Sequence, residues 1–156
     1  MPKPGPLNRI TDVPGITVGH AADMAVKTGV TVLRCTDSVA VAADIRGGGP
    51  GTRETDVLAS ENLVGRADAI VLSGGSVFGL AAADGVASAL SQEGIGLRLA
   101  ETSPAIPIVP AAVLHDLGND GDKNWGDTPP YRRLGVEAIT NVTDDFNLGA
   151  VGAEED

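Results

Sequence analysis

The stretch that most constrains the fold is a strand-like run followed directly by glycines and a helix-like run, residues 69–94. The run AIVL at 69–72 is apolar and contains a β-branched pair, which is typical of a buried strand. Gly74 and Gly75 lack a β-carbon, so they permit a sharp turn or the close approach of a ligand. Alanine, leucine and valine dominate residues 77–90 at a helical spacing. The sequence therefore predicts a strand, a glycine turn and a helix.

Ser76 follows the two glycines and is expected to cap the helix with its hydroxyl. The free N–H groups and the positive end of such a helix suit a carboxylate, a carbonyl or an oxyanion. Known motifs do not decide between a plain helix cap and a ligand site. The serine elbow of α/β-hydrolases needs Gly-x-Ser-x-Gly, but Phe78 takes the place of the last glycine. The dinucleotide-binding glycine pattern and the P-loop are both absent from this stretch.

The composition predicts one domain over residues 1–156, because this length allows a sizeable core. Hydrophobic residues make up 42% of the chain but aromatic residues only 3%, so the core must consist of aliphatic side chains. The net charge of −10 argues against nucleic acid as a partner, because phosphates require a basic surface.

Targeting and metal-binding signals are missing from the sequence. No run approaches the roughly 20 apolar residues of a membrane helix, and the first residues lack the apolar core of a secretory signal. Cys35 is the only cysteine, so the chain cannot form an internal disulfide. Together with the two histidines, His20 and His115, it makes no recognisable set of zinc ligands. We therefore expect a cytoplasmic protein without a metal, a cofactor or a membrane partner.

The rest of the chain reads as strands followed by alternating strands and helices. Residues 28–35 and 39–45 are rich in β-branched and aliphatic residues around a turn at 36–38, so they predict a hairpin. Residues 105–117 are apolar but contain two prolines, which favours an edge or irregular strand. Residues 131–142 have a helical spacing. This order indicates a mixed α/β layered fold.

Two polar features carry alternative interpretations. The loop RGGGPGTRETD at 46–56 either lines a pocket, with Arg46 or Arg53 available for a carboxylate, or is a solvated surface loop. His115, at the end of the proline-containing apolar run, is either a hydrogen-bonded structural residue or a group that transfers protons.

Four runs taken together resemble the DmpA-type peptidases, also described as L-aminopeptidase/D-esterases or peptidase family S58. They are ITDVPGITVGH at 10–20, RGGGPGTRETDVL at 46–58, AIVLSGGSVFGLAAADGV at 69–86 and IPIVPAAVLHDLG at 106–118. The resemblance implies a layered α/β/β/α sandwich with the general layout of N-terminal-nucleophile hydrolases. It also implies a precursor that cuts its own backbone before a serine or threonine, which becomes the nucleophile at the start of a second chain.

The implied activity is the hydrolysis of an amide bond after an N-terminal residue, through an acyl-enzyme and without metal. No serine or threonine of this chain matches the family's nucleophile, so the chain resembles the front part of the family's α chain. The sandwich is then expected to be incomplete, with a complementary β chain or a homo-oligomer covering its apolar edges. His115 stands where relatives often have phenylalanine or tyrosine, and Ala150 where they often have asparagine.

The glycine turn and the end of the following strand are the expected substrate-binding residues: Gly74, Gly75, Ser76, Phe78, His115 and Asp116. Backbone donors of the turn would face a substrate carbonyl, in the manner of an oxyanion hole. Ser76 is not expected to be the nucleophile, because no base partner is visible.

Three functions remain open from the sequence: part of a DmpA-type aminopeptidase or amidase acting on a small peptide or amide, a non-catalytic binding or scaffold module of the same fold, and an unrelated small-molecule-binding α/β domain.

Overall fold

The computed structural model describes residues 3–152 and contains one mixed five-stranded sheet with two α-helices. The sheet order is β1-β2-β4-β5-β3, and every neighbouring pair is antiparallel except β4 and β5, which run parallel. Helix α1 follows β4 in the connection that leads back to β5. The elements are β1 (Ile16–Asp23), β2 (Thr28–Ala40), β3 (Thr52–Arg53), β4 (Arg66–Ser73), α1 (Ala81–Gln92), β5 (Ala111–Val113) and α2 (Tyr131–Thr140).

Both helices lie on one face of the sheet and pack closely against each other. The closeness depends on Gly85 in α1 and Gly135 in α2. A β-carbon at Gly85 would overlap the Arg132 carbonyl, and one at Gly135 would overlap the Ala82 carbonyl. The main core fills the space between the helices and this face. Its most buried members include Val30, Val32, Val71, Val86, Leu90, Leu134 and Ile139.

The opposite face of the sheet is apolar and only partly covered by the described residues. Cα pairing places Thr31 beside Leu72 and Leu33 beside Ile70, on the face opposite to the core residues of the same strands. Leu72 is 43% exposed. Residues 143–152 cross this region at β1 and β2, and Thr143 pairs with Val18 through two backbone hydrogen bonds.

The structure confirms an α/β fold and the order of strand, glycine turn and helix predicted for residues 69–90. The helix begins later than expected, because a short 3-10 helix at Ser76–Leu80 precedes α1. The predicted helix at 131–142 is α2, Tyr131–Thr140. The second sheet and second helical layer of the expected sandwich are not among the described residues.

The hairpin predicted between 28–35 and 39–45 is wrong. Strand β2 continues through the supposed turn at 36–38, with a register shift between Arg34 and Val39, and its hairpin partner is β1. The proline-containing segment is irregular, one of the two alternatives predicted for it: only Ala111–Val113 forms a strand, β5, and both prolines precede it. The other alternative is wrong, because β5 lies between β4 and β3 and not at the edge.

Candidate functional site

Two parts of the predicted site come together where the parallel strands β4 and β5 end. They are the Gly74–Ser76 turn and Asp116. Ser73 is the register partner of Val113, so the segments that follow the two strands leave the sheet side by side. The Leu114 N–H donates to the Ser73 carbonyl and the Ser76 N–H donates to the Leu114 carbonyl, each at 2.9 Å. The glycine turn and the segment containing Asp116 are therefore joined along their backbones.

Asp116 is a buried carboxylate, only 1% exposed, that ties three parts of the chain together. Its Oδ1 accepts a hydrogen bond from the Gly75 N–H at 2.6 Å, and its Oδ2 accepts one from the Thr28 hydroxyl at 2.6 Å. Within residues 3–152 it has no ion-pair partner. These hydrogen bonds link the start of β2, the turn after β4 and the segment after β5.

The backbone donors of the turn are all engaged within the fold. The Gly74 N–H donates to the Gly29 carbonyl at 3.0 Å, the Gly75 N–H to Asp116, and the Ser76 N–H to Leu114. The expected oxyanion hole built from these amides is therefore not supported, since none of the three is free to donate to a substrate carbonyl.

Ser76 does not cap the helix as predicted. Gly75 occupies the N-cap position of the 3-10 helix with a φ of 84°, and no side chain caps the helix. Ser76 itself has a φ of 52°, in the left-handed region that non-glycine residues seldom adopt. Ser76 is half-buried, and its hydroxyl has no hydrogen-bond partner among the described residues. The chain thus holds a serine in an unfavourable conformation and leaves its hydroxyl available.

Sequence reasoning missed the aromatic side of the site. Tyr131, at the start of α2, is fully buried beneath Gly75, and a β-carbon at Gly75 would overlap the phenol ring. Trp125 contacts the Tyr131 ring edge-on at 6.0 Å between centroids and the Phe78 ring at 5.8 Å. Phe78, one of the predicted site residues, is 44% exposed and ends this series at the surface.

The Tyr131 hydroxyl is buried and makes no hydrogen bond of ordinary geometry within residues 3–152. Burial raises the pKa of this hydroxyl; the Thr28 hydroxyl opposes the rise, and the negative charges of Asp116 and Asp23 add to it. Tyr131 is therefore a neutral phenol at physiological pH. No local sequence signal pointed to Thr28 or Tyr131, because both reach the turn only through the tertiary fold.

His115 is exposed and makes no hydrogen bond or ion pair within the described part of the chain. Although His115 precedes Asp116 directly in sequence, its side chain does not join the buried group formed by Asp116, Thr28 and the Gly75 amide. A cavity of about 170 Å³ is lined by Thr28 together with Asp23, Lys27 and Asn119. None of the six predicted site residues lines this cavity.

Within residues 3–152, no group of three histidine, cysteine, aspartate or glutamate side chains is placed to hold a metal ion. In the same range, neither helix has the length and apolar character that a membrane span requires.

The fold and site define an α/β domain with a strained glycine–serine turn at the ends of two parallel strands. Comparison with known proteins assigns it: the sequence matches the family model of peptidase family S58 over residues 8–154, so the chain belongs to this family.

Curated relatives of the chain carry the name uncharacterized aminopeptidase. One from Mycobacterium bovis is 42% identical over 154 residues, covering 94% of this chain and 43% of the relative. A relative from Mycobacterium tuberculosis gives the same values, and one from Mycobacterium leprae is 41% identical over 141 residues, covering 85% and 38%. The chain spans less than half the length of these relatives.

Proposed function

We propose that this chain forms part of an aminopeptidase or amidase of the DmpA type, which releases N-terminal residues from peptides, amides or esters. The observation that carries the proposal is the match to peptidase family S58 across residues 8–154. The names of the mycobacterial relatives, which are called aminopeptidases, support the same activity.

In the proposed mechanism, the nucleophile is a serine or threonine outside this chain, exposed as a new N-terminus by self-cleavage. Its α-amine accepts the hydroxyl proton, the hydroxyl oxygen adds to the substrate carbonyl, and the leaving amine takes the proton. Water then hydrolyses the acyl-enzyme. This sequence of steps needs no metal ion.

The contribution proposed for this chain is one wall of the substrate site. Gly74 and Gly75 shape the turn, Ser76 offers a free hydroxyl, and Phe78 offers an exposed ring. His115 adds an exposed imidazole on the neighbouring segment. Asp116 lies behind this wall and holds it in place through Gly75.

The incomplete cover of the sheet supports a second layer in the assembled protein. Leu33, Ile70 and Leu72 form an apolar strip on the face away from the helices. Since exposed apolar sheet faces promote association, we propose that a second sheet packs here, supplied by a complementary β chain or by a homo-oligomer. A cytoplasmic location remains a prediction from the sequence.

A non-catalytic binding or scaffold module is the alternative. It is favoured by one observation: Ser76, the serine of the predicted site, has no base at its hydroxyl within residues 3–152, as an activated nucleophile would require.

The test combines intact mass with turnover, using protein expressed from the complete gene. The aminopeptidase predicts two chains of matching stoichiometry, the second beginning with serine or threonine, and hydrolysis of amino-acid p-nitroanilides. Incubation with a chelator should leave the turnover unchanged. A single unprocessed species without turnover would instead support the binding module.

A further inference from the structure

Asp116 is an unusual residue to bury, because a carboxylate removed from water needs strong partners. Within residues 3–152 it has no cation, and it is held instead by two short hydrogen bonds, from the Thr28 hydroxyl and the Gly75 N–H. Hydrogen bonds to an ionised acceptor are stronger than those between neutral groups. The carboxylate thus draws the turn after β4 toward the start of β2.

The turn that Asp116 holds is strained. Gly75 and Ser76 have successive positive φ values of 84° and 52°, and only glycine adopts this region without cost. Strain of this kind persists where the surroundings over-determine the backbone, and it is concentrated at functional sites. Here the surroundings are the Asp116 carboxylate on one side and the buried Tyr131 ring on the other.

The strained turn carries one polar side-chain group, the hydroxyl of Ser76. Ser76 is half-buried, and its hydroxyl lacks a partner among the described residues. The next two residues are exposed, Val77 by 65% and Phe78 by 44%. A relaxed turn would give Ser76 a negative φ and move this hydroxyl away from its present position.

We propose that Ser76 hydrogen-bonds the substrate and that Asp116 and Thr28 are its positioning residues, which keep the Gly75–Ser76 turn in the left-handed conformation. This inference rests on the proposed function only for the identity of the substrate, a peptide or amide whose backbone polar groups match a hydroxyl. Thr28 acts through Asp116, Asp116 acts through the Gly75 amide, and only Ser76 touches the substrate.

The experiment uses protein expressed from the complete gene and four variants. Thr28→Val removes one bond to Asp116 while keeping the side-chain shape, Thr28→Ser restores the hydroxyl, and Ser76→Ala removes the proposed contact. Thr140→Val is the matched control, because it deletes an exposed hydroxyl that bonds only within α2.

The first readout is amide hydrogen exchange at residues 74–78, which needs no substrate. We expect Thr28→Val to speed exchange in this segment by about tenfold or more, with Thr28→Ser and Thr140→Val near the wild-type rate. Equal exchange in Thr28→Val and Thr140→Val would overturn the positioning role, whether or not the protein is an aminopeptidase.

The second readout is kcat and KM on an amino-acid p-nitroanilide. We expect Thr28→Val and Ser76→Ala each to lower kcat/KM by about 10- to 100-fold, with Thr28→Ser restoring it. A further variant that combines Thr28→Val with Ser76→Ala should be no slower than Ser76→Ala alone, because Thr28 acts through Ser76. The inference would be overturned if the effects of Thr28→Val and Ser76→Ala on kcat/KM multiplied in the combined variant, or if Ser76→Ala had the wild-type kcat/KM. A wild-type protein without turnover would count against the proposed function, while the exchange result would still decide the positioning role.

Discussion

Gly75 lies directly against the phenol ring of Tyr131, so that a β-carbon at position 75 would overlap the Tyr131 Cζ and hydroxyl oxygen. Two independent reasons therefore require glycine here: the contact and the φ of 84°. We expect Gly75→Ala to lower the free energy of unfolding by about 2–5 kcal/mol, from about 1–2 for the left-handed conformation and about 1–3 for overpacking. Urea denaturation followed by Trp125 fluorescence measures this change.

The matched control for this substitution is Gly48→Ala. No atom lies within 4 Å of the position that its β-carbon would take. We expect a change within about 0.5 kcal/mol for this exposed loop position. Equal stabilities of the Gly75→Ala and Gly48→Ala variants would show that the packing of Tyr131 beneath the turn is incorrect.

The crossing of α1 and α2 provides a second prediction, in which packing opposes helix propensity. Alanine in place of Gly85 would gain about 1 kcal/mol in intrinsic helix propensity. Its methyl group would, however, overlap the Arg132 carbonyl in α2, and forcing helices apart costs about 1–3 kcal/mol. We therefore expect Gly85→Ala to be less stable than wild type by thermal unfolding. Thr140 is exposed in α2, so Thr140→Ala should gain helix propensity without the cost of this overlap.

Tyr131 is the only tyrosine in the chain, so its ionisation can be followed by phenolate absorbance at 295 nm without interference. Burial raises its pKa above the ordinary value of 10.0, with the charge of Asp116 adding to the rise. The native protein should therefore show a titration midpoint above that of the chain unfolded in guanidinium.

The linked effect on stability has a definite sign. Because the folded state holds the Tyr131 proton more tightly, its contribution to stability is complete below about pH 10 and is lost as the pH rises through the raised pKa. Tyr131→Phe should lack the 295 nm signal and this alkaline loss. A native midpoint equal to that of the unfolded chain would contradict the burial of Tyr131.

The sequence predicted those parts of the fold that depend on local signals. The aliphatic run, the glycines and the alanine-rich segment gave β4, the turn and α1, because each is encoded within a few residues. The supposed turn at 36–38 failed for the opposite reason. Its polar residues favour a turn locally, but pairing of Val39 and Ala40 with β4 keeps β2 extended beyond an irregularity.

The candidate site was predictable only in part. Gly75 and Asp116 stood out as a glycine turn and a strand end, but their hydrogen bond spans 41 positions in sequence. The Thr28–Asp116 bond spans 88 positions. Such contacts follow from the order of strands in the sheet, which local patterns do not contain. The left-handed Ser76 was also hidden, since serine before a helix ordinarily indicates a cap.

His20 provides the last prediction, a loss of stability at mildly acidic pH. Its Nδ1 is hydrogen-bonded with the Thr31 hydroxyl at 2.9 Å, and its ring lies 5.8 Å from that of Phe146, in the segment that crosses the open face of the sheet. Burial lowers the pKa of His20 from its ordinary value of 6.5, and the backbone of Asn147 opposes this effect.

Since the folded state disfavours protonated His20, the unfolded chain binds more protons below about pH 6.5. The free energy of unfolding should therefore be independent of His20 above this pH and fall below it, by at most about 1.4 kcal/mol per pH unit. His20→Asn cannot take up this proton, so the stability difference between wild type and His20→Asn should shrink or reverse between pH 7 and 5. Urea denaturation across this range measures the difference, in which the carboxylates common to both proteins cancel.

The control is His115→Asn, which keeps His20 and should retain the fall in the free energy of unfolding below pH 6.5. A parallel pH profile for wild type and His20→Asn would show that His20 is solvated in the folded protein.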